Sequence, residues 1–446
     1  MSVVTRPNIL FFFPDQHRFD WTGLNGDLPV RTPNLDRLTA QGTAFTNALC
    51  PSPLCAPSRA SLAAGLEYPR CRVANNQQDY PLDQPTFYGM LRDGVDGIGG
   101  GYYVAGVGKF DLQKASSNHS LDGRALVAEW GFSDGIDNKG KWDAVASWDG
   151  QPHDPYLAYL DAHGLAQAHI DDMLRRKGRA YAETTSTPLP EEAYCDNWVA
   201  DNGLQLLVDF ATDRPWFLQV NFTGPHDPMD VTARMRERWE GVAFPRAHAC
   251  EAFDDATHTR IRQNYAAMVE NIDRHLGRYL DTIAARGELE RTLVVYASDH
   301  GEMLGDHGAW GKSTYYHPSV GVPLVVAGPG VSAGRRYDGV VTLHDLAATF
   351  LEAAGVPVPG HMDSRSLWPV LEGLSQSHRD YVLSGLVTPR RAWHLVYDGR
   401  YKLVQIEGEG PILFDLQEDL WEDQNVAAAR PAVVARLNEW LNRELA

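Results

Sequence analysis

The chain has 446 residues, 43% of them hydrophobic and 22% charged, and a formal net charge of −18. That length carries one large α/β domain with a smaller one, and the composition is that of an ordinary soluble globular protein. The negative charge excludes nucleic acid and anionic membrane as main partners.

In chain order, residues 7–13 read as a buried strand, Asn8-Ile9-Leu10-Phe11-Phe12-Phe13, followed by Pro14 and Asp15. This apolar run is too short to cross a bilayer and lacks the length and cleavage site of a signal peptide, so the cytoplasm is the expected compartment. Thr32 as N-cap, Pro33 in the first turn and Gly42 as stop bound a helix. After the turn-rich Pro51, Ser52 and Pro53, Cys55 and Pro57 open a second helix that Ala60, Ala63 and Ala64 propagate. Residues 102–107 and 216–222 read as strands. Residues 261–285 carry helical apolar spacing (Ile261, Tyr265, Met268, Ile272, Leu276, Leu280), with Gly287 as stop. Residues 292–297 and 323–327 read as further strands.

Helices alternating with near-continuous apolar strands predict an α/β fold: a large, mainly parallel sheet covered by helices on both faces. Residues 111–200, rich in Gly, Asp, His and Trp, read as an irregular insertion over the site. Beyond Gly360 the pattern changes, and residues 381–384, 392–397, 401–405 and 412–415 read as short antiparallel strands before an amphipathic helix over 431–445. The expected organisation is a catalytic domain over 1–372 and a C-terminal antiparallel-sheet-plus-helix subdomain over 373–446, connected through 373–378. Cys50, Cys55, Cys71, Cys195 and Cys250 are few, odd in number and not spaced as a zinc site, so free thiols are expected.

In such sheets ligands sit beyond the carboxyl ends of strands, and Asp15, Lys109, His226, Asp299 and His300 all fall just past a predicted strand end. Cys55 starts a helix, where a side chain meets unpaired backbone N–H groups and the positive end of the dipole. Arg59, one turn on, points back to that end and adds a fork of donors. Together they make a pocket for a tetrahedral oxyanion with a sulfur nucleophile, or its derivative, at the floor. Asp15-Gln16 and Asp299-His300 are metal-competent pairs. Carboxylates with one imidazole and no thiolate cluster suit a divalent cation, Ca²⁺ first with Mn²⁺ and Mg²⁺ as alternatives, over structural zinc. Each group also has a bland reading: a turn cap for Asp15, a polar strand end for Asp299-His300, a small buried hydrophobe for Cys55. Their convergence weighs against it.

Cys55-Ala56-Pro57-Ser58-Arg59 ahead of a small-residue helix resembles the site of type I sulfatases, in the alkaline phosphatase superfamily, where the cysteine is oxidised to Cα-formylglycine. The resemblance runs through Thr32-Pro33-Asn34-Leu35-Asp36-Arg37-Leu38, Gly108-Lys109, Pro225-His226-Asp227-Pro228, Asp299-His300-Gly301-Glu302, His307-Gly308, Lys312 and Leu413-Phe414-Asp415-Leu416. It implies an alkaline-phosphatase-like fold and hydrolysis of a sulfate monoester to an alcohol and inorganic sulfate. In that scheme Asp15, Gln16, Asp299, His300 and the modified Cys55 hold one divalent cation. Arg59 supports the formylglycine hydrate, Lys109 contacts it or the sulfate, and His226 and Lys312 neutralise or protonate the leaving oxygen.

A formylglycine-generating maturation enzyme is the implied partner, and an oligomer is compatible with the sequence. Gln16 stands where many members have a second Asp, and Asp111 where many have His. These details look closest to the choline sulfatase and phosphonate monoester hydrolase branch, which makes phosphonate monoester or phosphodiester hydrolysis the alternative activity. A member retained only as a binding protein would need Arg59 or the metal residues to be lost, and they are present. Asn76, or its neighbour Asn75, sits where that branch places an active-site Asn. An ionised Asp111 accepts but cannot donate, which suits it to pairing Lys109 or to binding a cationic or hydroxyl part of the substrate. The loop over 148–156, with His153 and Asp154, is expected to cover the pocket and read the alcohol half of the ester.

Overall fold

The computed structural model describes residues 6–445. Eight strands form the main sheet: β1 (Asn8–Phe12), β2 (Gly42–Leu49), β3 (Tyr103–Gly108), β4 (Asp134–Asp137), β5 (Trp216–Asn221), β6 (Thr292–Ala297), β7 (Leu324–Ala327) and β8 (Arg335–Thr342). Their spatial order is β4-β3-β5-β1-β6-β7-β2-β8. The run from β4 to β6 is parallel throughout, whereas β7 runs antiparallel to both β6 and β2.

β1 lies inside the sheet between β5 and β6, with Ile9 opposite Phe217 and Leu293. Period-two alternation therefore splits its side chains between two cores, which explains a strand apolar at every position after Asn8. Phe11 packs 5.3 Å from Phe350 on one face. Phe12 meets Tyr279 edge-on at 5.1 Å on the other. Tyr279 belongs to the long helix Asp255–Ala285, which starts six residues before the predicted 261 because Asp254 caps it by accepting the Thr257 N–H. The helix Cys55–Ala64 ends at Gly65, whose φ of 65° is the left-handed conformation that a C-cap favours.

The predicted irregular insertion needs correction. Residues 111–200 contain strand β4 of the main sheet and the helices Trp142–Ala146, Pro155–Ala162 and Ala166–Arg176. β2 and β8, absent from the sequence reading, complete the far edge.

A second sheet, ordered β12-β11-β10-β9, is antiparallel throughout: β9 (Val382–Thr388), β10 (Arg391–Tyr397), β11 (Tyr401–Ile406) and β12 (Ile412–Asp415). Val396, Leu403 and Leu413 on one face pack against Leu437 and Leu441 of the helix Pro431–Leu445. Trp393, Leu395, Val404 and Phe414 on the other face join the core of the main sheet. Buried Asp345 ties the connecting segment down: it accepts from Arg379 Nε at 2.8 Å, His378 Nε2 at 2.9 Å and the Arg365 N–H at 2.8 Å. Burial would raise that carboxyl, but Arg379 and His378 hold it far below the usual carboxylate range. Among the described residues no helix is long and apolar enough to cross a membrane.

Asp345→Ala leaves the Arg379 guanidinium buried without its partner, so it is expected to cost about 3–5 kcal/mol of stability. Urea unfolding checks this as a lowered midpoint at unchanged slope; a shift worth under about 1 kcal/mol would show that the seam does not depend on this pair.

Candidate active site

Parallel pairing of β1 with β6 brings Asp15 and Asp299, far apart in sequence, to adjacent strand ends. Both are fully buried. Asp299 is held from several sides: Oδ1 accepts the backbone N–H groups of Gln16 (3.0 Å) and His300 (2.9 Å), and Oδ2 accepts Arg59 Nε at 2.9 Å. Arg59 also donates to the Lys109 carbonyl at 2.6 Å, and its Nη2 lies 3.5 Å from Asp15. The face of Phe13 supports the guanidinium from 4.9 Å.

Cys55 opens its helix among these groups. Its Sγ lies 2.9 Å from Lys312 Nζ, 3.6 Å from Lys109 Nζ, 3.3 Å from His300 Nε2 and 3.8 Å from Asp15 Oδ1. Asn76 Oδ1 accepts the next backbone N–H, that of Ala56, at 3.1 Å, which satisfies one orphan donor of the first turn. Burial and the Asp15 charge would raise the thiol, but Lys109, Lys312 and His300 more than offset them and hold Cys55 well below the ordinary thiol range. Asp15 behaves alike: burial pushes it up, and Lys109, Lys312, His226 and Arg59 hold it well below the usual carboxylate range. Lys109 pairs with Asp15 and, at 3.2 Å, with Asp111. Asp111 in turn accepts Lys114 at 3.0 Å and stays ionised, because Lys109, Lys114 and Arg59 outweigh its burial.

His226, beyond β5, turns Nδ1 to the Asp227 carbonyl at 2.7 Å and carboxylate at 3.1 Å. Burial and Lys312 would depress this imidazole, but Asp227 and Asp15 raise it overall. The residues frame a cleft of about 150 Å³ lined by Cys55, Asn76, Lys109, Trp142, His226 and Lys312 among others. Larger clefts of about 660 and 930 Å³ open elsewhere on the molecule, and neither reaches Cys55.

The donor set fits a divalent cation. Asp15, Cys55, Asp299 and His300 each offer one ligand atom, and these atoms lie within 4.8 Å of one another. His300 Nδ1 lies 3.0 Å from the Gly301 carbonyl, which fixes the tautomer with the Nε2 lone pair toward the cluster. Gln16 borders the same space: its amide nitrogen faces Glu302 and, at 3.4 Å, Tyr181, while its amide oxygen is buried with no partner.

Residues 7–356 match the sulfatase family, and residues 305–446 match the C-terminal region of N-sulphoglucosamine sulphohydrolase. The chain belongs to the sulfatase family. It is 29% identical over 464 residues to a choline-sulfatase of Rhizobium meliloti, covering 95% of this chain and 82% of that protein. It is 25% identical over 448 residues to an arylsulfatase of Clostridium perfringens, covering 94% and 90%. The fold resembles that of the phosphonate monoester hydrolase of Agrobacterium radiobacter, with a TM-score of 0.81 at 23% identity over 98% of this chain and 95% of the other. That likeness establishes the alkaline-phosphatase-like architecture.

Of the residues read from the sequence, Asp15, Cys55, Arg59, Asn76, Lys109, Asp111, His226, Asp299, His300 and Lys312 gather in this sulfatase at one place, and Gln16 lies beside them. His153 and Asp154 do not. His153 is half-exposed and pairs with Asp149 at 3.0 Å. Asp154 is buried as the N-cap of Pro155–Ala162, accepting the Leu157 N–H at 2.8 Å and the Lys139 N–H at 3.2 Å. A carboxylate followed by Pro is a helix-start signal, and it accounts for Asp154 without a ligand. The insertion reaches the cleft earlier, through Lys139, Lys141, Trp142 and Asp143. Those residues follow a strand with too few apolar positions to be read.

Asp154→Ala is expected to cost about 1 kcal/mol, the usual worth of an N-cap, and His153→Ala less than about 0.5 kcal/mol. Chemical denaturation and substrate KM measured on both variants check this placement. A KM change of more than about threefold in His153→Ala, or an Asp154→Ala protein as stable as wild type, would return the loop to the site.

Proposed function

We propose that this sulfatase cleaves the S–O bond of a sulfate monoester at the position of Cys55, releasing an alcohol and inorganic sulfate. The observation that carries the proposal is the pair of ammonium groups of Lys312 and Lys109, 2.9 and 3.6 Å from Cys55 Sγ, above a buried quartet of ligand atoms.

Converted to formylglycine by a maturation enzyme, residue 55 would add one water per cycle to become a geminal diol: one hydroxyl takes the sulfuryl group as the alcohol leaves, and loss of the other's proton re-forms the aldehyde as sulfate departs. Asp15, Asp299, His300 and the residue at position 55 would hold a divalent cation, with the unpartnered amide oxygen of Gln16 beside them, and the ion would supply Lewis-acid stabilisation of the charge at sulfur. Ca²⁺ is the preferred ion, since hard oxygen donors dominate the set. The chain's own residues do the rest. Lys109 and Lys312 hold the sulfate oxygens, and Arg59 fixes both carboxylates. Asp111 keeps Lys109 charged and in place: burial would lower that ammonium, but Asp111, Asp15 and Cys55 raise it well above its ordinary value. His226, raised above its ordinary value by Asp227 and Asp15, delivers a proton to the departing alkoxide. The reducing cytoplasm is the compartment we propose for a chain with five free, buried cysteines.

Protein with mass-verified formylglycine is expected to release sulfate from 4-nitrophenyl sulfate with kcat/KM at least about tenfold above that for phenyl phenylphosphonate. The opposite ranking would make phosphonate hydrolysis the activity. Asp299→Ala is expected to lose at least about 99% of turnover and its bound divalent ion by elemental analysis. An active wild-type protein free of divalent metal would overturn the cation assignment.

A further inference from the structure

The row of chemical side chains beyond the strand ends does not stop at Lys109. The spatial order β4-β3-β5-β1-β6 places Lys139, Lys109, His226, Asp15 and Asp299 in that sequence along one edge of the sheet. Neighbouring strands lie about 4.8 Å apart, so Lys139 stands one strand outward from the lysine that borders Cys55. The two segments are stitched together: the Asn138 N–H donates to the Gly108 carbonyl at 3.0 Å, and Asp137 Oδ1 accepts the Phe110 N–H at 3.1 Å. Gly140 permits the close approach. Its φ is +72°, and a Cβ there would come within 3.1 Å of Lys109 Cδ.

Lys139 is 5% exposed and lines the cleft that holds Cys55, Lys109 and Lys312. Among the described residues its ammonium makes no ion pair and no hydrogen bond. The other cations of the cleft wall are already matched. Lys114 pairs with Asp111 and Asp143, and Lys141 with Asp230 at 2.7 Å. Asp154, the carboxylate whose charge acts most on Lys139, is used by the backbone N–H groups of Leu157 and Lys139 itself. Burial lowers the Lys139 ammonium and outweighs Asp154 and Asp143, which act on it only from beyond ion-pair distance, so a nearly buried cation facing the cleft is costly unless something anionic enters. Trp142, fixed by donating to Asp227 at 3.0 Å, supplies a flat apolar wall beside it.

We propose that Lys139 is the head of an anion subsite, so that the alcohol half of the substrate is a ring carrying a second oxyanion, a carboxylate or another sulfate, close to the ester. This rests on the sulfate ester reading above and adds the substrate class. The ring lies along Trp142, the ester sulfate sits among Lys109, Lys312 and Cys55, and the second anion meets Lys139.

The test compares 3-carboxyphenyl sulfate, resorcinol bis(sulfate) and the methyl ester of the first, which lacks the second charge, with wild type, Lys139→Met, Lys139→Gln and Lys139→Arg. The expected result is that Met and Gln lower the ratio of kcat/KM for an anionic ester over the methyl ester by about tenfold, while Arg keeps it within about threefold. The ester whose ratio falls further identifies carboxylate or sulfate as the group read. In a Cys55→Ala background, which removes turnover, calorimetric binding of 3-carboxyphenyl sulfate is expected to weaken about tenfold with Lys139→Met. Ratios and affinities unchanged by Met and Gln would overturn the subsite alone. Failure of formylglycine-verified wild type to release sulfate from any of the three esters would overturn the sulfatase reading and the subsite with it.

Discussion

Everything at this site depends on two buried carboxylates at neighbouring strand ends. Asp15 and Asp299 are fully buried, and burial of charge in such a place is sustained only by opposite charge and hydrogen bonds. The β1–β6 pairing brings them together, and Arg59 bridges both while Lys109 pairs with Asp15. The arrangement is reciprocal. Carboxylates keep the cations charged at depth, and the cations keep the carboxylates ionised and able to bind metal.

This reciprocity explains how a chain with a net charge of −18 builds an anion site. The field inside a narrow cleft is set by nearby groups rather than by the surface total. Lys109, Lys312, His226 and Arg59 converge on one sulfur atom at the start of a helix, whose first-turn amides add to the same potential. The acidic exterior has little bearing on that interior. The same logic gives Lys139 its meaning, since it alone of the cleft-lining lysines makes no ion pair among the described residues.

Much of the site was legible in the sequence because its parts sit at points the backbone marks clearly. β1 and β6 are apolar at nearly every position, so the residues just past them, Asp15, Asp299 and His300, stand out as polar strand ends. Cys55 and Arg59 are marked by turn residues before them and a small-residue helix after. β4 was hidden for the opposite reason: Asp134-Gly135-Ile136-Asp137 holds a single large apolar side chain, and its pairing with β3 is what makes it a strand. With β4 unread, Lys139 had no place in the row of strand ends. β8 was hidden likewise by Arg335, Arg336 and Asp338. His153 and Asp154 mislead in the other direction: a turn-rich, polar loop has the composition of binding machinery, but local capping explains its carboxylate.

The central claim is that position 55 carries the nucleophile and needs two hydroxyls to complete a cycle: one to take the sulfuryl group, one to let it go. Quantifying the nitrophenol released per active site by Cys55→Ser, with cation present, tests this most directly. The account predicts at most one equivalent, followed by arrest, because a lone hydroxyl has no partner to expel sulfate. Sustained turnover by that variant at the wild-type rate would contradict it.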